Sequence, residues 1–224
     1  MLVRRKRLIR RRRQVRRLKL ALALLILAAM IFCCIVFVRS VIRPVRDKLN
    51  HNTINASCES YRSDVQTEAA LYGMSDYVDL ILALMMQESS GQGTDVLQSS
   101  EGAYNTQYPH TPNGITDVDY SIACGIQELK YSMEKAGVTS PSDLNRIELA
   151  LQGYNFGADS YFNYLEQNNI TTWSVESSEA FAQKASSGIE RSESDPLYTT
   201  AGPWDYGDQH YPEHVLRYYP PAQS

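Results

Sequence analysis

Apolar residues follow two different rhythms along this chain. Residues 20–38 form an unbroken run of 19 apolar side chains. At ~1.5 Å of helical rise per residue, that run spans roughly 28 Å, close to the ~30 Å hydrocarbon core of a bilayer. Beyond residue 58 the apolar positions recur at steps of three and four, the repeat of helices with a buried face. Tyr77, Leu80, Ile81, Leu84 and Met85 display it well. A first helix is predicted over residues 58–72 and stops near Gly73. A second starts with Ser75 as N-cap and Asp76 in a first turn, where the helix dipole favours an acid. Others are predicted over 119–136, ended by Gly137, over 143–154 and 158–167 as a pair interrupted at Gly157, and over 175–185 and 212–218. Gly157 suits a turn that needs positive φ. The Ser- and Glu-rich residues 186–195 read as a loop. Long strand-like alternation is absent, so an all-α domain is expected.

Charge divides the chain at the same place. Residues 1–48 hold 15 of the 22 Lys and Arg and one acid, Asp47. From residue 49 onward 7 basic residues face 24 acids, a net of −17. Eleven of the first 19 residues are basic, which by the positive-inside rule keeps the N-terminus cytoplasmic and sends the remainder outside. Residues 20–38 run on into Arg39, Arg43 and Pro44 without a small-residue cleavage site, so a retained signal-anchor is favoured over a removed signal peptide. The expected organisation is a basic cytoplasmic arm at 1–19, a transmembrane helix at 20–38, a polar spacer at 39–57 and an extracellular domain at 58–224. The arm reads as a topology signal touching anionic lipid, with no nucleic-acid partner.

Cys33 and Cys34 fall inside the apolar run. Cys58 and Cys124 fall in the exported part, where a disulfide can persist. Pairing them would close a loop of more than 60 residues, for which chain entropy suggests ~4 kcal/mol. A Gly-rich phosphate loop is absent, and a nucleophilic role for Cys124 lacks a partner His.

Glu88 is the position that carries chemistry. It continues the stripe of Tyr77, Ile81, Leu84 and Met85, so its carboxyl points at the core or at a cleft cut into it. Desolvation there disfavours the ionised form and raises the pKa. A carboxylic acid that keeps its proton near neutral pH is what glycosidic cleavage requires of the group that protonates the leaving oxygen. On spacing alone, a solvated helix end competes with this reading.

The neighbourhood of Glu88 adds an ordered set of motifs. Glu88-Ser89-Ser90-Gly91 is followed by Gln98-Ser99-Ser100-Glu101, by Cys124-Gly125-Ile126-Gln127, by Tyr154-Asn155-Phe156-Gly157, and by a late Tyr211 ahead of Val215. This set resembles the goose-type lysozyme and lytic transglycosylase superfamily. The Gln-Ser-Ser-Glu and Tyr-Asn-Phe-Gly spellings look like its bacterial lysozyme-like branch in Gram-positive bacteria. That branch includes the muramidase domains of conjugation-associated wall hydrolases and surface proteins of the pneumococcal vaccine antigen A type. The resemblance covers about residues 61–219 and implies a helical, lysozyme-like domain with an active-site cleft, acting on peptidoglycan glycan strands without a cofactor. Residue by residue it implies Glu88 as general acid/base and Ser89 beside it. Gln127 and Asn155 would hydrogen-bond the sugar, Tyr154 would line the cleft, and Tyr211 would approach the Glu88 carboxyl. Gln98 and Ser99 are weaker substrate-binding candidates.

Hydrolysis would recruit a second carboxylate, with Asp95, Glu101, Asp119 and Glu128 as candidates, whereas a lytic transglycosylase uses the sugar's own 6-hydroxyl. The branch resembled favours a muramidase. His210-Tyr211-Pro212-Glu213-His214 fits an H-x-x-E-H zinc pattern, but Pro212 belongs in the first turn of a helix, which leaves His210 outside it. No metal site is expected. Two readings from other classes stay open: a glycan-binding surface protein without catalysis, and a component docked to cell-wall or secretion machinery through its anchor and arm. The acidic domain has no electrostatic pull toward an anionic wall, so sugar recognition falls to hydrogen bonds and tyrosine stacking.

Overall fold

A computed structural model describes residues 52–219. The basic arm, the expected transmembrane helix at 20–38 and most of the spacer lie outside the described residues. Among the described residues no helix is long and apolar enough to cross a membrane. They form eight α-helices: α1 (Ala56–Ser60), α2 (Arg62–Leu71), α3 (Val78–Glu88), α4 (Val118–Ala136), α5 (Leu144–Phe156), α6 (Ala158–Gln167), α7 (Val175–Ala185) and α8 (Tyr211–Leu216). A 3-10 turn at Ser75–Tyr77 precedes α3, and strand pairing among these residues is limited to one antiparallel bridge between Glu190 and Trp204.

The helix α3 is the axis of the domain. Val78 and every residue from Leu80 to Met85 are buried, so the helix is apolar all round and not on one stripe alone. Such a helix must be enclosed by others, and α1, α2 and α8 pack against it. The second layer is α4 against α5, with α6 beside both. Phe156, Tyr161, Phe181 and Tyr206 join α5, α6, α7 and the segment before α8 through ring centroids 5.0–5.9 Å apart.

Several helix ends follow local chemistry. Asp117 caps α4 by accepting from Tyr120 N at 3.3 Å, and α4 ends at Gly137 with φ 70°. There Val138 N returns to Met133 O at 3.0 Å, satisfying a terminal carbonyl. Ser174 and Ser177 form a capping box at the start of α7. Gly157 breaks α5 from α6 at φ 84°. Two expectations are corrected. The first helix is two, because Tyr61 leaves helical geometry (φ −87°, ψ 0°) and only α1 is capped, by Asn55 accepting from Cys58 N at 2.8 Å. Ser75 is not an N-cap but lies within the 3-10 turn, and α3 begins without a side-chain cap.

The loop expected at 186–195 is pinned by its one cation. Arg191 is 7 % exposed and donates to the carbonyls of Gly202, Trp204 and Gly207 at 3.2, 3.0 and 2.6 Å, and to Asp195 at 3.2 Å.

The disulfide that Cys58 and Cys124 could have formed is not made. Cys58 and Cys124 are buried and free. Cys58 Sγ lies 3.8 Å from Met86 Sδ, whereas Cys124 Sγ donates to Tyr104 O at 3.4 Å. Each thiol is thus held in its own packing environment. Adding reductant should leave the thermal midpoint unchanged. A bond closing so long a loop would be worth ~4 kcal/mol, and its loss would lower the midpoint by roughly 8–16 °C in a domain of this size.

Candidate active site

Glu88 is the last residue of α3, so its carboxyl leaves a helix whose preceding turns are enclosed by protein. The negative end of the helix dipole falls here too, and it disfavours a carboxylate. The side chain keeps a half-buried surface, yet protein packs densely about the carboxyl. Burial pushes its pKa from 4.5 up to about 7. The hydrogen bond from Tyr211 pulls the other way, and the charges of Asp95, Asp208 and Glu128 add to the rise.

Tyr211 opens α8 and is 2 % exposed. Its hydroxyl donates to Glu88 Oε1 across the domain. Tyr154, near the end of α5, donates to Leu97 O at 2.7 Å. Burial, followed by the charges of Glu128 and Glu88, holds the Tyr154 phenol well above its ordinary value, and burial and Glu88 do the same to Tyr211. Both therefore remain donors at any physiological pH.

The four candidate second carboxylates separate clearly. Glu101 and Asp119 are exposed and are not among the charges acting on Glu88. Asp95 is 1 % exposed and its oxygens are occupied, accepting from Ser99 N at 3.0 Å, Ser121 Oγ at 2.8 Å and Ser100 N at 3.2 Å. It organises the loop after α3. Glu128 on α4 is different. Burial raises its pKa to about 7 against backbone amides at Tyr104 and Ala103 that favour the ionised form. Its Oε1 is buried without a hydrogen-bond partner, an arrangement a neutral carboxyl tolerates far better than a charged one. Gly102 lets Glu128 come this close, since a Cβ there would lie 1.4 Å from Oε1.

The expected sugar-binding residues are distributed unevenly. Ser89 Oγ donates to Val96 O at 2.7 Å and accepts from Gly91 N at 3.0 Å, which makes it a brace for the loop beside Glu88. Gln98 adopts φ 48°, unusual for a residue with a side chain, and its amide bonds Asp95 O and Asn113 Oδ1, each at 2.8 Å. Ser99 is 1 % exposed and its hydroxyl donates to Ser121 O at 3.1 Å, a bond within the fold. Gln127 is half-buried and its amide returns to Ala123 O on its own helix at 3.0 Å. Asn155 Oδ1 accepts from Asp208 N at 2.7 Å.

Spacing did not single out Asp208. It is 9 % exposed, acts on both Glu88 and Tyr211, and lies 2.6 Å from His214 Nδ1. The available signal was an acid just ahead of a helix whose first turn holds Pro212. His210 stands as the N-cap of that helix, with Pro212 inside it.

Leu97, which carries the acceptor for Tyr154, rests on Gly125. A Cβ at Gly125 would lie 2.5 Å from Leu97 Cβ. Gly125→Ala should therefore cost about 1–3 kcal/mol in urea denaturation, as overpacking does. An unchanged midpoint would show that the 95–100 loop yields freely.

A depression of about 310 Å³ between α4, α5 and α6 is lined by Lys135, Arg146, Leu149, Phe162, Glu166 and Ile170 among others. It includes none of the groups around Glu88, and the chemistry just described, not the cavity, locates the candidate site.

The domain is helical, and its buried axis ends in a glutamic acid met by a tyrosine from a late helix. The chain belongs to the Lysozyme-like family, whose description matches residues 55–219. It is 32 % identical over 160 residues to the bifunctional muramidase/DL-endopeptidase CwlT of Bacillus subtilis, covering 71 % of this chain and 41 % of that protein. Similarity to the membrane protein YocA of the same organism is 34 % over 162 residues, covering 69 % and 65 %. Pneumococcal vaccine antigen A of Streptococcus pneumoniae is 38 % identical over 93 residues, covering 40 % and 39 %. Among solved structures, a protein similar to a lipoprotein of the NLP/P60 family from Staphylococcus aureus superposes with a TM-score of 0.62 at 29 % identity, covering 77 % of this chain and 55 % of that one. The chain thus spans between two fifths and two thirds of the length of these relatives.

Proposed function

We propose that the domain cleaves peptidoglycan glycan strands at the MurNAc–GlcNAc linkage as a muramidase, with Glu88 as general acid. The observation that carries this reading is a carboxyl at the end of the buried helix α3, met by the Tyr211 hydroxyl, where burial favours the protonated form. In that state Glu88 delivers its proton to the glycosidic oxygen as the carbon–oxygen bond breaks, and positive charge develops on the sugar. Tyr211, already bonded to Oε1, steadies the carboxylate left behind. Water then adds to the sugar and returns a proton to Glu88. An anchor at residues 20–38 would hold the domain outside the membrane, within reach of the wall.

A second reading has a specific observation in its favour. Asp95 is saturated with donors, Asp208 is engaged by His214, and Glu128 is held toward its neutral form. None is a free carboxylate, which suits attack by the sugar's own 6-hydroxyl and a 1,6-anhydro product. A cysteine nucleophile has no support among the described residues. Burial lifts the Cys58 thiol to about 11 and raises that of Cys124, the opposite of an activated nucleophile.

Mass spectrometry of fragments released from cell walls by the purified chain tests both readings. A reducing-end muramic residue is the expected product, and an anhydro end assigns transglycosylation. Intact glycan strands after prolonged incubation would remove the enzyme reading and leave glycan binding.

A further inference from the structure

The geometry points to the Asp208–His214 pair as the positioning device that aims Tyr211 at Glu88. This inference rests on the reading of Glu88 as the acid and extends it to residues that do not touch the sugar. The argument starts from the length of α8. Six residues make fewer than two turns, too few for a helix to hold its own direction. Its orientation, and hence the aim of the Tyr211 hydroxyl, must be imposed from outside.

Asp208 imposes it from two sides. Its main chain is gripped by α5, with Asn155 Oδ1 accepting from its N at 2.7 Å and Gln152 Nε2 donating to its O at 2.9 Å. Gln152 is fully buried and is itself fixed by Trp173 Nε1 at 3.0 Å and Ser178 Oγ at 3.2 Å. The carboxylate of Asp208 reaches forward into α8, where Oδ1 accepts from His210 N at 2.9 Å and Oδ2 meets His214 Nδ1 at 2.6 Å. Tyr211 N donates back to Asp208 O at 3.3 Å. Tyr211 thus sits midway between the two members of the pair, three residues from each.

A simple helix cap would use Oδ1 alone. Here the second oxygen is committed to a side chain one turn into the helix, and the Asp208 side chain keeps only 12 % of its surface in solvent. Its charge also acts on Glu88, together with those of Asp95 and Glu128 and against the Tyr211 hydrogen bond. On its own side the pair faces His210, whose ring centroid lies 6.1 Å from that of His214 and whose Nδ1 is 3.4 Å from Glu213 Oε2.

Two substitutions separate charge from clamp. Asp208→Asn is isosteric and keeps an acceptor for His210 N, but it removes one of the charges opposing ionisation of Glu88. His214→Leu removes the clamp, whereas His214→Gln can still donate to Oδ2. The full chain in detergent is assayed on purified cell walls, and Glu88 is followed by carboxyl NMR titration, with its signal assigned by its loss in Glu88→Gln. Asp208→Asn should shift both the Glu88 midpoint and the alkaline limb of kcat downward by roughly half a pH unit. His214→Leu should lower kcat about tenfold with KM unchanged, the scale of a mispositioned catalytic hydrogen bond, and His214→Gln should restore most of it. Variants that lose only thermal stability, with the Glu88 midpoint and kcat untouched, would make the pair structural and overturn the inference. If His214→Leu does not fold, His214→Ala is assayed in its place, and an unchanged kcat there overturns the inference equally. A wild-type chain that leaves walls intact while the Glu88 midpoint rises in His214→Leu, as loss of the Tyr211 hydrogen bond requires, would sink the glycosidase reading and spare the pair.

Discussion

Glu88→Gln is expected to slow the release of soluble muropeptides from cell walls by about 10²- to 10⁴-fold at pH 6, the range that a positioned general acid contributes. The amide preserves the shape of the side chain, so the circular dichroism spectrum should not change. In the wild-type chain the rate should fall as pH rises through about 7, where Glu88 gives up its proton. Tyr211→Phe supplies a test with a definite sign. The phenol hydrogen bond favours the carboxylate, so removing it should move the alkaline limb to higher pH. A Glu88→Gln chain that digests walls within threefold of wild type would take Glu88 out of the mechanism.

Stability should respond to the same carboxyl over the same pH range. A folded-state value near 7 against 4.5 means that the native state binds this proton more tightly than the unfolded chain does. The contribution is therefore intact below pH ~4.5 and is lost as pH rises through about 7. A shift of this size corresponds to at most about 3 kcal/mol. Glu128 shifts in the same direction, but the two carboxyls lie close enough to interact, so their effects do not add. Glu128→Gln, or Glu88→Gln, is expected to gain about 2–3 kcal/mol over wild type at pH 8.5 and almost nothing at pH 4.5, measured by urea denaturation. Reading the difference between chains cancels the general repulsion among the 24 acids from residue 49 onward. Equal gains at both pH values would show that the carboxyls are solvated.

How much of this was legible beforehand depends on the kind of interaction involved. The spans of α4 to α7 follow from apolar period and from end signals such as Gly137 and Gly157, because those forces act within a few residues. The break at Tyr61 was not legible, since a period of three and four persists across a kink and reports only which face is buried. Ser75 looked like a cap because serine at a helix start usually is one. Here α3 is held by burial on every side and has no need of it. Polar residues in the loop after α3 were ambiguous for a similar reason. Ser99 and Gln98 have the chemistry to bind a sugar, and that same chemistry satisfies Ser121 O and Asp95 O in a tight loop. Partners far apart in sequence were the hardest. The meeting of Tyr211 with Glu88 came from the resemblance in motif order, and nothing in local spacing contains it. Asp208 had no such guide, and its importance appears only when α5 and α8 are seen to grip it from either side.

Glu88 and Tyr211 are separated by 123 positions. A chain still emerging from the ribosome therefore carries the Glu88 carboxyl long before it carries the hydroxyl that completes the pair. The centre is assembled only after α8 has docked, when almost the whole domain has been delivered. Such an order of events leaves Glu88 without its hydroxyl partner in a nascent chain, and loss of α8 would do the same to the folded one.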